Sequence, residues 1–381
     1  MRILMISKAL VTGVYQRKLE ELAALPGVEL MAVVPPYWYE ERVGVQRFER
    51  AYSSGYQLVE YPMWFNGRHH IHFYPGIGKI IRSFRPDILH VDEEPYNFVT
   101  LHAATLGRLA GAKVMFFAWQ NLFRRYPPPF RMIELANYRL CAAGVAGNRE
   151  AVEVLRRKGY RGPLDVIPQF GVDPDIYSPG PERKPSDRPL IGYAGRLVNE
   201  KGADVLIEAA SRMKTRAPRL QIIGNGSERS RLEHLASYRG IRDRVTFRGQ
   251  VASADMPEAL RSLDLLVVPS RTRPNWKEQF GRIIIEAMSS GVPVLGSNSG
   301  EIPNVIGKPD LVFPEDDVDA LTRKLEQLVA DHELRQQLSV WARQRVLDNF
   351  TQASIARRYY NVYRMMMEGV PQPRSEESGQ E

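Results

Sequence analysis

The chain has 381 residues, 44% apolar and 25% charged, with a formal net charge of +8 and one cysteine. That length suits two domains with sizeable cores, and so ordinary a composition excludes collagen-like, disulfide-scaffold and wholly disordered proteins. Cys141 alone makes no internal disulfide or cysteine metal cluster, and no apolar run reaches the ~18 residues of a spanning helix, so a reducing, cytoplasmic setting is expected.

The opening Met1–Ser7 is too short for a signal segment and reads as a first buried strand. Further strands are predicted at Glu29–Val34, Gln57–Tyr61, Asp87–Val91, Lys113–Ala118, Val145–Ala146 and Asp165–Ile167. Helical stretches at Val14–Leu25, Ile77–Phe84, Asn97–Leu109 and Glu150–Lys158 lie between them. Several strands are apolar at consecutive positions, the pattern of parallel strands covered on both faces. A proline-rich, charged stretch, Gly171–Pro189, interrupts this rhythm and reads as a linker. The alternation resumes at Leu190–Ala194, Leu220–Ile223, Val245–Phe247, Leu265–Val268, Pro293–Leu295 and Leu311–Phe313. After Asp317 the pattern is helical only, and Arg374–Glu381 reads as a disordered polar tail. The expected architecture is α/β, with two doubly wound parallel-sheet domains in tandem.

The basic excess is spread over both halves rather than gathered in an arm. It favours anionic partners in general and selects none of them.

Ligands of open parallel sheets sit beyond the carboxyl ends of the strands, so the loops there are the places to search. Gly195-Arg196-Leu-Val-Asn-Glu200-Lys201-Gly202 follows one strand and precedes a helix starting near Ala203. Arg196 offers a planar fork and Lys201 a point charge, a pairing suited to two phosphates; a strand–helix loop with solvated cations reads equally well. Glu278 and Glu286 sit eight residues apart, an interval also found at Glu200/Glu208 and elsewhere. Their context sets them apart: they follow a strand and a polar loop and open a helix, with Gly281 at its start. Ionised carboxylates accept only, which suits hydroxyl-rich ligands.

With these residues the chain resembles the retaining nucleotide-sugar glycosyltransferases of the GT-B fold, family 4, with a glycosyl transferase group 1 domain. The signatures are Gly195-Arg196…Glu200-Lys201-Gly202, Ile222-Ile-Gly224-Asn-Gly226, Val245-Thr-Phe-Arg-Gly249 and Val268-Pro-Ser270. Glu278-x-Phe-Gly…Glu286-Ala-Met, Gly291-Val-Pro-Val-Leu and Ser299-Gly-Glu301 follow, and Ile167-Pro-Gln-Phe-Gly171-Val-Asp173 precedes them. The resemblance is strong from about residue 167 to 350 and weaker before.

It implies two facing Rossmann-like domains with a deep interdomain cleft. The first spans 1–172 and about 351–367 and holds the acceptor; 173–189 is the linker, 190–350 binds the donor, and 368–381 is the tail. It implies that Arg196 and Lys201 bind the donor diphosphate, that Glu286 holds the ribose and that Glu278 contacts the donor sugar near the reacting carbon. Phe280, Gly281 and Arg282 complete the sugar–phosphate contacts. Arg248, Gly249 and Val251 line the base pocket, with Gly195, Gly224 and Gly226 close by, and Gly13 lies near the donor phosphates or serves as a plain turn residue. The implied substrate is a UDP-, GDP- or ADP-linked hexose, with no metal or other cofactor, and the acceptor is a sugar, a lipid-linked sugar or a polysaccharide.

Many relatives carry a histidine after the strand Lys113–Ala118, where this chain has Trp119-Gln120-Asn121. Gln120 and Asn121 hydrogen-bond a hydroxyl but take no proton, so substrate positioning without general-base action is expected. Asp92 and Glu93, in the acid run Asp92-Glu93-Glu94, read either as acceptor-hydroxyl ligands or as solvated strand-end charges. Trp38, Tyr39, Trp64, Phe65, Phe73 and Tyr74 read as core or lid residues or as sugar-stacking faces, and His69-His70-Ile-His72 lacks the carboxylate or cysteine that would complete a metal site. Gly76–Arg85 forms a basic amphipathic helix that either covers the sheet or makes a peripheral contact with an anionic membrane at its inner face, beside the basic loop Arg124-Arg125-Tyr-Pro-Pro-Pro129. Competing readings are a GT-B enzyme of other chemistry, such as a nucleotide-sugar epimerase or glycan phosphorylase, and a basic nucleic-acid-binding protein. The latter has no zinc finger, RNP-like stretch or basic arm behind it, so no nucleic-acid partner is expected. The oligomeric state is left open.

Overall fold

The computed structural model describes residues 1–41, 44–181, 188–214 and 217–369. The expected tail from 370 onward and residues 182–187 of the expected linker lie outside the described residues. The chain divides into two compact units, Met1–Gly171 with the chain from Gln352 onward, and Val172–Thr351.

The first unit contains strands β1 (Arg2–Ile6), β2 (Glu29–Val34), β3 (Tyr37–Glu40), β4 (Gly44–Arg47), β5 (Gln57–Glu60), β6 (Ile88–Val91), β7 (Lys113–Ala118), β8 (Ala143–Ala146) and β9 (Leu164–Val166). Seven of them pair in parallel in the order β5-β2-β1-β6-β7-β8-β9. Side chains alternate across a strand, so Ile3 and Met5 enter one apolar cluster while Leu4 and Ile6 enter the cluster on the opposite face. Burial on both faces is why these strands read as unbroken apolar runs. The helix Gln352–Glu368 packs against the helix Arg17–Ala23 and adds Ile355, Tyr359, Val362 and Tyr363 to the cluster holding Ile3.

Three features refine the sequence reading. The aromatic run at Tyr37–Tyr39 is part of the antiparallel pair β3–β4, which strand prediction passed over. Pro128 and Pro129 open a helix, Pro128–Leu140, instead of extending a rigid loop; proline suits the first helical positions, where its missing N–H is not needed. In the helix Ile77–Phe84 the apolar residues Ile77, Ile81 and Phe84 are buried in the sheet's core, so that face covers the sheet.

The second unit contains β10 (Leu190–Ala194), β11 (Arg219–Ile223), β12 (Val245–Arg248), β13 (Leu265–Val268), β14 (Val294–Ser297) and β15 (Val312–Phe313). They form one parallel sheet in the order β12-β11-β10-β13-β14-β15. The order reverses between β10 and β13 here, and between β1 and β6 in the first unit. Loops leaving two such neighbours part to opposite sides and open a crevice, where open α/β sheets bind ligands. Among the described residues no helix is long and apolar enough to cross a membrane.

Candidate active site

In the second unit the expected donor residues gather on the loops after β10, β11 and β13. Leu197 N–H donates to Asn225 O at 2.9 Å and Gly224 N–H to Arg248 O at 3.1 Å, tying the ends of three strands together. The packing leaves no room for side chains: a Cβ on Gly226 would stand 2.1 Å from Leu197 O, and one on Gly300 2.0 Å from Glu278 O. These glycines are where backbone must touch backbone to hold the loops in place. Gly249 and Val251 follow β12 on the far side of β11, with Gly249 facing the Asn225 side chain.

Lys201 and Glu278 meet. The Lys201 ammonium donates to Glu278 Oε2 at 2.6 Å, and Ser270 Oγ donates to the same oxygen at 3.0 Å. Trp276 stands below the lysine, with Nζ 4.8 Å from the ring centroid. Glu278 is buried, and Arg196 is exposed on the same loop as Lys201. The Arg196 guanidinium makes no hydrogen bond or ion pair among the described residues, while its carbonyl is fixed by Tyr193 Oη at 2.7 Å. The loop is therefore held by its backbone and leaves the guanidinium available.

Gly281, at φ 77°, caps the helix Arg282–Ser289, which carries Glu286. Phe280 is buried against Phe350, at 5.9 Å between ring centroids. Glu286 is buried and paired with Arg282 at 2.9 Å. Burial raises its carboxyl above the ordinary value, with Arg282 and a hydrogen bond from Tyr177 opposing. Ser270, Trp276 and Tyr177 were not singled out in the sequence; only Ser270 lay within a recognised signature.

In the first unit a cavity of about 430 Å³ opens at the β1–β6 reversal. Lys8 from the loop after β1, the run Asp92–Glu94 after β6, and Trp119 after β7 line it. Asp92 and Glu93 are only 3% exposed, which removes the solvated reading of that run. Asp92 Oδ2 accepts from Ser7 Oγ at 2.7 Å and from Gln169 Nε2 at 2.9 Å. Burial alone would raise the Glu93 carboxyl, but the contact with Lys8 and the neighbouring His72 hold it at about 2. Its neighbour goes the other way: burial pushes Glu94 up to about 7, against the pull of the Trp119 N–H and Lys158. Glu94 Oε1 accepts that N–H at 2.8 Å, whereas Oε2 has no hydrogen-bond partner among the described residues. Asp92 Oδ1, Asn97 Oδ1 and His70 Nδ1 are likewise buried and without one. These residues all line the cavity. Together they suit a ligand rich in donors, such as a polyol.

Gln120 and Asn121 do not line that cavity. Gln120 Oε1 accepts from Lys158 Nζ at 2.7 Å and its Nε2 donates to Tyr126 Oη at 3.1 Å, so it reaches the cavity through the Tyr126 ring. Asn121 Nδ2 donates to Glu150 Oε2 at 3.3 Å. Gly13 is buried against the chain's own segment 49–51, where a Cβ would fall 2.7 Å from that of Ala51. Trp38 and Tyr74 are core residues, whereas Tyr39, Trp64 and Phe65 are exposed. Among the described residues no three of His, Cys, Asp and Glu gather where they would hold a metal ion.

Residues 178–345 match the family model of glycosyl transferases group 1. A 2-deoxystreptamine N-acetyl-D-glucosaminyltransferase of Streptomyces fradiae is 29% identical over 281 residues, covering 66% of this chain and 65% of the relative. A GDP-mannose-dependent phosphatidylinositol monomannoside mannosyltransferase of Mycolicibacterium smegmatis is 32% identical over 201 residues, covering 49% of this chain and 52% of the relative. The chain thus spans about half to two thirds of the length of these curated relatives. Among solved structures, a glycosyltransferase of Rickettsia africae superposes with a TM-score of 0.71 at 20% identity, covering 97% of this chain and 99% of that one. HepE of Anabaena, solved in complex with UDP, gives 0.71 at 16% identity, covering 96% and 100%. The chain therefore has the fold of the GT-B glycosyltransferases, and its residues 178–345 match the model of the glycosyl transferases group 1 family.

Proposed function

We propose that the protein transfers a hexose from a nucleoside-diphosphate sugar to an acceptor hydroxyl with retention of anomeric configuration, in the synthesis of a glycan, glycolipid or polysaccharide. The observation that carries this reading is the cluster of Lys201, Glu278 and Ser270, with Arg196 exposed on the same loop as Lys201, at the β10–β13 reversal. As the bond from the anomeric carbon to the diphosphate oxygen breaks, its electron pair leaves with the phosphate. Arg196 and Lys201 neutralise that growing charge, so they stabilise the transition state more than the ground state and take the part a divalent ion would otherwise take. The acceptor oxygen bonds to the same face of the sugar, and its proton passes to the departing phosphate oxygen. Glu278 faces the sugar, Glu286 holds the ribose diol, and Arg248 to Val251 border the base. The 430 Å³ cavity of the first unit holds the acceptor, whose hydroxyls meet the oxygens of Glu94 and Asn97 that have no hydrogen-bond partner among the described residues. The reaction belongs in the cytoplasm, on an acceptor that is soluble or presented at the membrane face.

Thermal-shift titration with UDP, GDP and ADP, then with their sugars, tests this, because a ligand bound to the native state raises the melting temperature by mass action. UDP and GDP come first, since one structural neighbour was solved with UDP and one relative is named for GDP-mannose. A shift with one nucleotide, lost in Arg196→Ala, is the expected result; no shift with any of the three refutes the donor site.

A further inference from the structure

We propose that a second recess of the first unit, beside the carboxylate cavity, receives a phosphate group, and that the acceptor carries that phosphate. The inference rests on the acceptor reading of the cavity and names the chemical class of the acceptor. The recess measures about 310 Å³ and is lined by Arg124, Arg125, Arg131, Arg157 and Lys158, with Glu134 the one carboxylate among its lining residues. Glu134 is already engaged at both oxygens, by Arg131 at 2.6 Å and Lys158 at 2.8 Å. Arg125 and Arg157 face no carboxylate among the described residues. Arg157 lies over the Phe123 ring at 4.4 Å, which orients the guanidinium without neutralising it. A recess with so few acceptors and several planar donor forks matches the oxygens of a phosphate.

The placement gives the recess its purpose. Arg124 and Tyr126 line both the recess and the 430 Å³ cavity, so one ligand reaches from one into the other. The ring of a phosphorylated sugar or cyclitol meets the unpaired acceptors around Asp92 and Glu94, and its phosphate meets the arginines. Buried Lys158 sits at the junction, 4.5 Å above the Tyr126 ring and bonded to Gln120. Burial lowers its pKa, and an anion in the recess would restore the charge that burial disfavours. The phosphate is a soluble phosphomonoester or the headgroup of a lipid-linked acceptor; both share this chemistry.

The test is equilibrium dialysis of the full chain against radiolabelled inorganic phosphate, on an Arg196→Ala background that weakens uptake by the donor loop, so that the comparison is between parent and added substitutions. The added double substitution Arg125→Gln/Arg157→Gln should weaken phosphate binding about a hundredfold, roughly tenfold for each charge-assisted contact. Both arginines are exposed, so the variant folds, which its melting temperature checks. UDP binding, measured in the Arg125→Gln/Arg157→Gln protein with Arg196 intact, should match the wild type; the donor reading therefore stands or falls separately. Competition by glucose 6-phosphate without sedimentation on phosphatidylcholine vesicles containing phosphatidic acid assigns a soluble phosphate. Sedimentation that the double substitution abolishes assigns a lipid phosphate. Phosphate binding that is absent from the parent, or unchanged in the folded double variant, overturns the proposal.

Discussion

Lys201 Nζ and Glu278 Oε2 lie 2.6 Å apart, on loops that leave different strands of the second unit. The cation proposed to bind the donor diphosphate is thus held by the carboxylate proposed to meet the sugar. The pair is partly open to solvent on the lysine side, with 22% of that side chain exposed, so the attraction is modest. Glu278 therefore competes with phosphate for Lys201. Glu278→Gln should bind UDP about threefold more tightly by calorimetry, while transfer activity falls by about a hundredfold because the sugar loses a charged partner that the neutral amide does not replace. Weaker UDP binding in this variant would mean that Glu278 orients Lys201 for the phosphate instead of restraining it.

Gly226→Ala tests the loop packing beneath the same site. The new Cβ meets a backbone carbonyl, that of Leu197, which has no side-chain freedom with which to yield. Overpacking of this kind costs about 2 kcal/mol, a drop of about 5 °C in melting temperature. Relief of the clash pushes Leu197, and with it Arg196, away from β11, so UDP affinity should fall as well. A variant with wild-type melting and UDP affinity would show that the two loops are not in fixed contact.

Glu94 sets a pH dependence in the first unit. Its ordinary pKa is 4.5 and its folded value about 7, so between these limits the native state holds a proton that the unfolded chain has lost. The native state is the one favoured by acid in that window, and stability should fall as pH rises from about 4.5 to 7 and change no further through this group above it. Glu94→Gln keeps the shape and the acceptor for the Trp119 N–H while removing the charge. Urea midpoints across this range should flatten in Glu94→Gln relative to the wild type. Identical slopes in both proteins would place the Glu94 proton elsewhere.

The sheets were legible because burial on both faces leaves consecutive apolar positions, as in Lys113–Ala118. The loop carrying Arg196 and Lys201 and the segment from Glu278 to Glu286 stood out through ordered signatures, and the structure brings Lys201 and Glu278 of these together. The helix Pro128–Leu140 escaped because three prolines read as a break, although proline at a helix start is no obstacle. The opposed behaviour of Glu93 and Glu94 was beyond reach for another reason. It depends on the burial of Glu94 in the assembled unit and on Lys8, 85 residues away from Glu93, and adjacent letters carry no trace of either. The same holds for Lys158, whose place between Gln120 and Glu134 exists only once β7 and two helices are assembled.

Arg196 and Lys201 share a loop and a sign, yet their substitutions should differ. Lys201 has Glu278 as a standing partner, so Lys201→Ala removes the proposed phosphate contact and at the same time takes the cation from a buried carboxylate. Part of its effect is therefore a loss of stability. Arg196 is exposed with its guanidinium unbonded among the described residues, so Arg196→Ala leaves no orphan behind and should unfold at the wild-type temperature. Its whole effect falls on the ligand: charge-assisted contacts to a diphosphate contribute about 1.5–3 kcal/mol each, so UDP should bind about ten- to a hundredfold more weakly. Arg196→Lys restores the charge but not the two-pronged geometry and should recover only part of that affinity. Calorimetric titration of UDP into the three variants, beside their melting curves, separates the cases. A full recovery by lysine would reduce Arg196 to a point charge, and an Arg196→Ala protein that binds UDP normally would place the diphosphate away from this loop.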